Sequence, residues 1–229
     1  MSYQFDPHIH TAEVSPCGML PAADVVRRYH ALGYHGLVIT DHLQESLIES
    51  LPCKDNWTAC VDYFLQGYRE AKKAATPLGM TVLLGAEIRF TGGTNTHREY
   101  LLYGINEAFL YDNPYLHRST PEAFFARFGG AVLIIQAHPF RRNDTVALRA
   151  IHGIEVHNAN PRHQSYNEKA AAYQRAHPHL LAFAGSDTHQ AGDVGQAGVL
   201  LDARVETAEA FRAAVLAGAY TMFASPQNG

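Results

Sequence analysis

Cysteine, long apolar runs and net charge are all scarce in this chain of 229 residues. The three cysteines, Cys17, Cys53 and Cys60, form no CxxC pair, which argues against a disulfide framework and against a structural zinc ribbon. No uncharged apolar run approaches the length of a membrane span, and the first residues lack the basic start and apolar core of a secretion signal. We therefore expect a cytoplasmic protein that does not enter a membrane.

Charge is sparse as well, because 17% of the residues are charged and the net charge is −4. A general nucleic-acid footprint needs a basic surface, so we expect no stable binding to nucleic acid. Apolar residues make up 47% of the chain, which is enough to bury a core. No linker composition or sequence repeat divides the chain, so one domain over residues 1–229 is favoured.

Histidine, by contrast, is frequent, with 14 copies spread along the chain. Six short apolar runs of β type each stop at a histidine or an acidic residue. These runs cover residues 3–9, 36–40, 81–86, 131–137, 153–156 and 180–186. If the strands run parallel, their carboxyl ends meet at one edge and form one pocket. A pocket rich in imidazole nitrogen and carboxylate oxygen suits borderline transition metals.

Amphipathic helices are predicted between these strands, and the alternation of the two indicates parallel βαβ units. The predicted helices cover residues 21–32, 57–75, 121–128, 165–176 and 207–217. The third strand is predicted to extend to residue 90, and further strands are predicted at residues 99–104, 198–202 and 220–224. About seven strands that could run parallel favour a closed or nearly closed α/β barrel over an open sheet.

Three pairs of potential metal ligands stand two residues apart at strand ends. The pairs are His8 with His10, Glu155 with His157, and Asp187 with His189. Residues two apart on a strand project to the same side, so both members of a pair could reach one ion. A single pair would be explained by an exposed polar face. Three pairs that each close an apolar strand favour a shared metal site.

Three further residues follow or interrupt apolar strands. Asp41 precedes His42, and the simplest interpretation is that the aspartate caps a helix. Alternatively, His42 is a ligand and Asp41 is either another ligand or a partner that orients an imidazole. Glu87 lies inside an apolar strand, where a metal or an arginine would remove the cost of a buried carboxylate. His138 is predicted to lie at a strand end.

Arginines near these positions could bind an anionic group beside the metals. Arg141 and Arg142 follow His138 closely, and either a solvated loop or a guanidinium fork explains them. Arg89 is a second candidate, because it lies two residues after Glu87 on the same strand. His97 falls in a predicted loop and is either a ligand of a third metal or an exposed side chain.

Several of these segments resemble the motifs of the PHP (polymerase and histidinol phosphatase) superfamily, in that family's order and over nearly the whole chain. The segments are His8-Ile9-His10-Thr11, Ile39-Thr40-Asp41-His42, Gly85-Ala86-Glu87, Gln136-Ala137-His138-Pro139 and Gly185-Ser186-Asp187-Thr188-His189. His-x-His-Thr, Thr-Asp-His and Ser-Asp-x-His are specific in combination, whereas each alone would be weak. The resemblance implies a distorted (β/α)7 barrel, similar to a TIM barrel, with two or three divalent ions at the carboxyl ends of its strands.

The resemblance also implies a ligand set. His8, His10, Glu87 and Asp187 would hold one ion, with Glu87 bridging to a second ion that His138 also binds. His42 and His189 would hold another. The family often places an acidic or histidine ligand shortly after the first motif, and here Glu13 is the candidate substitute. The family's extra histidine after the glutamate strand corresponds to His97, to Glu99 or to no residue.

The predicted function is hydrolysis of a small phosphorylated substrate, a phosphomonoester or nucleotide, by a hydroxide that zinc, manganese or iron ions activate. The predicted catalytic residues are Asp187, which orients the hydroxide, Glu87, and Arg89 or Arg141, which stabilise charge. His157 or His163 would protonate the leaving group. The alternatives are a histidinol-phosphate phosphatase, an amidohydrolase-like enzyme that cleaves a C–N bond, and a metal-binding module without catalytic activity.

Overall fold

A computed structural model of the protein describes residues 2–93, 95–141 and 145–224. The strands in these ranges are β1 (Tyr3–Ile9), β2 (Gly36–Ile39), β3 (His42–Leu43), β4 (Thr81–Leu84), β5 (Ala86–Arg89), β6 (Glu99–Tyr103), β7 (Leu133–Gln136), β8 (Gly153–Asn158), β9 (Leu181–Gly185), β10 (Ala197–Leu201) and β11 (Tyr220–Ala224). The α-helices are α1 (Ala22–Ala31), α2 (Glu45–Ser50), α3 (Trp57–Phe64), α4 (Gln66–Ala75), α5 (Glu107–Asp112), α6 (Pro121–Phe128), α7 (Asn167–Ala176) and α8 (Ala208–Leu216).

The strands close into a ring. β1 pairs with β2 and β2 with β4, both in parallel, and β4 continues through Gly85 into β5. The ring proceeds through β6, β7, β8 and β9. It closes where Ile9 of β1 bridges Thr188, just after β9. This arrangement confirms the predicted α/β fold and is a distorted barrel of seven positions.

One strand of the ring is not part of a parallel βαβ unit. β6 pairs antiparallel with both β5 and β7. Only residues 90–98 connect β5 to β6, and this is shorter than the crossover of about a dozen residues that a parallel connection needs. The strands β10 and β11 are also antiparallel and extend the sheet outward from β1.

Two predicted elements are each divided in the structure. The predicted helix over residues 57–75 is two helices, α3 and α4, that meet at Leu65. The predicted strand over residues 81–90 breaks at Gly85, where the chain passes from one sheet to the other. A side chain at Gly85 would approach the Leu102 carbonyl oxygen to 2.9 Å, so the close passage there requires glycine.

Alternate residues of the strands face two different cores. One core lies between the strands and the surrounding helices and includes Leu37, Ile134 and, from α1, Val25. The other lies inside the ring. We call it the apolar layer, and it comprises Phe5, Val38, Leu83, Leu101, Tyr103, Leu133, Ile135 and Phe183, closed from below by Phe211 and Val215 of α8. The period-2 alternation of strand side chains produces this division.

No helix within the described ranges combines the length and apolarity that crossing a membrane requires.

Candidate metal centre

Above the apolar layer, the strand ends bring a second set of side chains into the ring. We call it the polar layer, and it comprises His8, His10, Glu87, Glu99, His138, Glu155 and Asp187, all buried. A cavity of about 510 Å³ opens over it and is lined by Glu87, Glu99, His138 and Asp187 among others. The side chains that the sequence predicted to converge from β1, β5, β7 and β9 therefore do converge.

The first group of potential ligands consists of His8, His10 and Asp187. Asp187 Oδ1 lies 3.4 Å from His8 Nε2 and 3.3 Å from His10 Nε2. Glu87 lies on the other side, with Oε1 3.5 Å from His8 Nε2 and Oε2 3.4 Å from His10 Nε2. The two imidazole nitrogens thus face the same two carboxylates.

These contacts are spaced for a metal rather than for hydrogen bonds. His8 Nε2 and His10 Nε2 are buried, and neither has a hydrogen-bond partner among the described residues. A buried polar atom without a partner is costly. Ligand atoms about 2.0–2.2 Å from a tetrahedral ion lie roughly 3.4 Å from one another. The residues present therefore fit a divalent ion that binds both nitrogens and both carboxylates.

A second group places Glu87 between two sets of ligands. His8, Glu87 and His138 lie close enough to share an ion, and His138 Nε2 is 3.1 Å from Glu87 Oε1. Glu99 Oε2 is 3.6 Å from the same nitrogen. Since Glu87 also faces His10, its carboxylate lies where it can bridge two ions.

A third group comprises His10, His42 and His189. The ring of His10 lies 4.4 Å from that of His42 and 4.3 Å from that of His189, measured between centroids. Cys17 is exposed at the mouth of the same cavity. The surrounding protein desolvates its sulfur, which alone would raise the pKa of Cys17, but hydrogen bonds with His189 and His42 lower it to about 6.

The pKa values of the inner residues show an environment suited to a cation. Burial alone would lower the pKa of His8, but the carboxylates of Asp187, Glu155 and Glu87 raise it well above the usual value. A bound cation would take the place of the proton that these carboxylates favour. Burial and the neighbouring His42 and His189 lower the pKa of His10, so its ring stays neutral and able to ligate.

Glu155 fixes two of the candidate ligands, His8 and His138. Its Oε1 lies 2.9 Å from His8 Nδ1, and its Oε2 accepts a hydrogen bond of 3.0 Å from the backbone N–H of His138. With the proton of His8 on Nδ1, the lone pair of Nε2 points at the ion site. A carboxylate that fixes the tautomer of a ligating histidine is a common partner of metal sites.

Asp41 performs the corresponding task for His10. Its carboxylate accepts hydrogen bonds from the backbone and hydroxyl of Thr11 and from the Ser15 hydroxyl, at 2.6–2.7 Å. Ser15 Oγ in turn lies 3.3 Å from His10 Nδ1. The sequence left helix capping, ligation and orientation of an imidazole open for Asp41. The N-cap of the following helix is Gln44, and the contacts of Asp41 favour orientation of an imidazole over ligation.

The backbone is strained at two of the predicted ligands. His138 has φ of 26° and Asp187 has φ of 55°, values that residues other than glycine seldom adopt. Such strain concentrates at functional sites. Close by, Gly185 lies beneath His8, and a Cβ there would approach His8 Cβ to 2.6 Å and Glu155 Oε1 to 3.1 Å.

Two of the predicted arginines line the cavity. Arg141 donates through Nη2 to Asp187 Oδ2 at 2.8 Å and to Asn158 Oδ1 at 2.7 Å. Arg89 forms an ion pair with Glu99. The third candidate, Arg142, lies outside the described residues.

Three predicted residues lie apart from the ligand groups. Glu13 accepts from the Ala22 N–H at 3.0 Å and so caps α1, and His97 is exposed. His157 lies beside Asn167, because a β-bulge between Glu155 and His157 interrupts the alternation on which their pairing depended. None of the three belongs to a ligand group within the described ranges.

The sequence reasoning missed the roles of several neighbours. Ser15 and Cys17 reach the site through the turn after β1, where the backbone N–H of Met19 donates to the carbonyl of His189 at 2.7 Å. Asp6 is fully buried and accepts from Tyr29 Oη at 2.6 Å, and burial raises its pKa to about 6. The only sequence signal for Asp6 was an acidic residue inside an apolar strand.

The sequence matches the model of the PHP-associated family over residues 164–220. No curated protein matches it. This match covers about a quarter of the chain, and the structural likenesses below concern the fold.

We compare the chain with three of the solved structures that share its fold. A two-domain protein from Bacteroides vulgatus, containing a predicted PHP-like metal-dependent phosphoesterase, is 18% identical with a TM-score of 0.66. The match covers 97% of this chain and 65% of that one, so this chain spans about two thirds of its length. A candidate metal-dependent phosphoesterase from Bifidobacterium adolescentis is 17% identical with a TM-score of 0.54, and the match covers 93% of this chain and 95% of that one. An amidohydrolase from Chromobacterium violaceum, with bound sulfate and no metal, is 19% identical with a TM-score of 0.57. That match covers 97% of this chain and 98% of the other.

Proposed function

We propose that this protein is a metal-dependent hydrolase that cleaves small phosphate esters. The observation that carries the proposal is the pair of buried nitrogens, His8 Nε2 and His10 Nε2, that face Glu87 and Asp187 at 3.3–3.5 Å. The two structural relatives that are named as metal-dependent phosphoesterases support it.

The ligands fall into overlapping groups, so we propose two or three divalent ions, with zinc, manganese and iron as candidates. His8, His10, Glu87 and Asp187 would hold one ion, and Glu87 with His138 another. His42 and His189 would hold the third. Bound ions of this kind supply a nucleophilic water at neutral pH and polarise the phosphoryl oxygens.

The residues around the cavity favour an anionic substrate. Arg141 lies beside Asp187 and is held by Asn158 and Ser165 as well, so its guanidinium is positioned before a substrate arrives. Arg89 lines the same cavity. A fixed guanidinium beside the ions can bind equatorial phosphoryl oxygens and stabilise the charge that develops on them.

A second cavity, of about 770 Å³, adjoins the first, and the two share His163. Its walls are rich in amide side chains, including Asn160, Gln164 and Gln196, and we propose that it accepts the leaving group. His163 stands at the junction of the two cavities, whereas His157 lies beside Asn167. Of the two histidines that the sequence offered as proton donor, we therefore propose His163.

The second candidate function is hydrolysis of an amide. The structural relative from Chromobacterium violaceum is named as an amidohydrolase, and it carries a sulfate. Sulfate resembles a phosphoryl group in shape and charge, so the bound sulfate of that relative also fits a site for phosphate esters. The two arginines beside the ligands favour the phosphate ester.

The experiment that tests the proposal is a substrate panel of p-nitrophenyl phosphate, nucleotides, sugar phosphates and simple amides, assayed with manganese, zinc or iron and after chelation. We expect release of phosphate that chelation abolishes and that Asp187→Asn lacks. Turnover of amides with no release of phosphate would favour the second candidate. Phosphate release that survives both chelation and Asp187→Asn would contradict the proposal.

A further inference from the structure

The turn after β1 carries a sulfur atom to the third group of ligands. Cys17 lines the cavity together with His42 and His189. The three side chains come from separate parts of the chain. Their convergence at one corner of the cavity is therefore a product of the fold rather than of sequence proximity.

The backbone around Cys17 is fixed in this position. The N–H of Gly18 donates to the Ser15 carbonyl at 2.8 Å, and the N–H of Met19 donates to the His189 carbonyl at 2.7 Å. A side chain at Gly18 would lie 2.5 Å from the Thr11 carbonyl oxygen, so only glycine permits the turn. The turn thus ties Cys17 directly to the segment that carries His189.

A second observation at this corner points to a ligand. His10 Nε2 is fully buried and has no hydrogen-bond partner among the described residues. Its ring contacts the rings of His42 and His189, with centroids 4.4 Å and 4.3 Å away. A cation at this corner would bind the lone pairs of His42 and His189, while His10 Nε2 would bind the neighbouring ion.

The nearby carboxylates that the sequence offered for this corner have other partners. Both oxygens of Glu13 accept from the Ala22 N–H at 3.0 Å. Asp41 accepts from Thr11 and Ser15. Neither carboxylate is therefore free to complete this corner, and the thiol of Cys17 lines the same cavity.

We propose that Cys17 is the sulfur ligand of a divalent ion that His42 and His189 also bind. The ligand set of this ion is softer than that of the neighbouring ions, which is rich in carboxylate oxygen. Thiolate and imidazole together favour zinc or cobalt over manganese or magnesium. The sites of the centre would then differ in the metal they select, because one of them would prefer a softer ion than the others do. The inference rests on the proposed metal centre but not on the identity of the substrate.

Cobalt substitution of the whole protein tests this ligand directly, because a thiolate bound to Co²⁺ gives a near-ultraviolet charge-transfer band that imidazole and carboxylate do not. We expect the band in the wild-type protein and in Cys53→Ser, which is the matched control. We expect Cys17→Ser to lose the band and one equivalent of bound cobalt. Cys17→Asp should keep the ion and lose the band.

Different results would refute the role of Cys17 and the proposed metal centre. Bound cobalt without a band in the wild-type protein, or a band that persists in Cys17→Ser, would overturn the role of Cys17 and leave the remaining centre intact. A protein that binds no cobalt would refute both. Phosphate-ester hydrolysis is measured separately, so a failed substrate panel has no bearing on the band.

Labelling of the wild-type protein tests the role of Cys17 even if the Cys17 variants do not fold. Iodoacetamide labelling, followed by mass spectrometry of each cysteine peptide, compares the metal-free protein with the zinc-loaded protein. We expect zinc to slow labelling of Cys17 by at least tenfold and to leave the half-buried Cys53 unchanged. Equal rates at Cys17 with and without zinc would contradict the proposal.

Discussion

The apolar layer and the polar layer are built on the same strands, one above the other, and they differ in almost every physical respect. On β9, Phe183 belongs to the lower layer, and Asp187 follows the strand into the upper one. The lower layer gains free energy from burial and close packing. The upper layer buries carboxylates and imidazoles, whose desolvation is costly unless partners or a cation offset it. The lower part of the barrel therefore contributes to stability, and the upper part is the proposed metal centre.

A substitution in the polar layer is expected to have the largest effect, which is a loss of activity with little change in stability. His10→Ala removes a proposed ligand whose Nε2 has no hydrogen-bond partner among the described residues, and we expect hydrolysis to fall by roughly 10⁴-fold, equivalent to about 5.5 kcal/mol in the barrier. The metal-free variant should melt within a few degrees of the metal-free wild type. The control is His30→Ala, on the exposed side of α1. A comparable loss in the control, or activity retained in His10→Ala, would contradict the division.

The complementary change lies in the apolar layer. Phe183→Ala opens a cavity beneath the site, next to the Tyr103 ring 5.4 Å away. We expect the free energy of unfolding to fall by about 3–5 kcal/mol, measured by urea denaturation. The catalytic rate per folded molecule should change much less than in His10→Ala. Phe125→Ala, at a half-buried position on α6, should cost less stability.

A smaller effect is expected where a positioning residue supports the ligands. Glu155→Gln keeps the shape of the side chain but weakens its hold on His8 and His138. We expect metal affinity to fall by roughly 10–100-fold, the usual cost of losing such a partner. Competition with a chromogenic chelator measures the change. The exposed Glu168→Gln is the control, and an unchanged affinity in Glu155→Gln would assign this carboxylate to stability alone.

The smallest effect concerns a histidine at the opposite end of the barrel. His152 Nδ1 accepts from the Ile134 N–H at 3.0 Å, and burial lowers its pKa below the usual 6.5. The unfolded chain therefore binds a proton before the folded chain does, and the contribution of His152 to stability is lost as the pH falls below about 6.5. Metal-free His152→Gln should lose less stability between pH 7.5 and pH 5.5 than the metal-free wild type does. The exposed His179→Gln is the control, and equal slopes would contradict the prediction.

The sequence was informative where a ligand directly ends a strand. His8, Glu87, His138 and Asp187 were predicted to converge, and the structure brings them together, because the geometry of strand ends needs no knowledge of the loops. Their role as metal ligands stays a prediction. The α/β fold followed from the same alternation of strands and helices.

The sequence was less informative where the local backbone departs from regularity. The bulge after Glu155 separated it from His157 and made it a partner of His8, which strict alternation does not predict. The reversal of β6 placed Glu99 at the pocket from the start of a strand rather than its end. Cys17 depends on a turn whose hydrogen bonds join segments about 170 residues apart.

Gly185 shows how far the demands of the centre extend beyond its ligands. Any larger residue at this position would displace His8 and Glu155, although glycine itself offers nothing to a metal or a substrate. In a library of random variants selected for turnover, position 185 would be as intolerant as a ligand position. What Gly185 contributes is the space left by its missing side chain. We therefore expect position 185 to stay glycine for steric reasons alone.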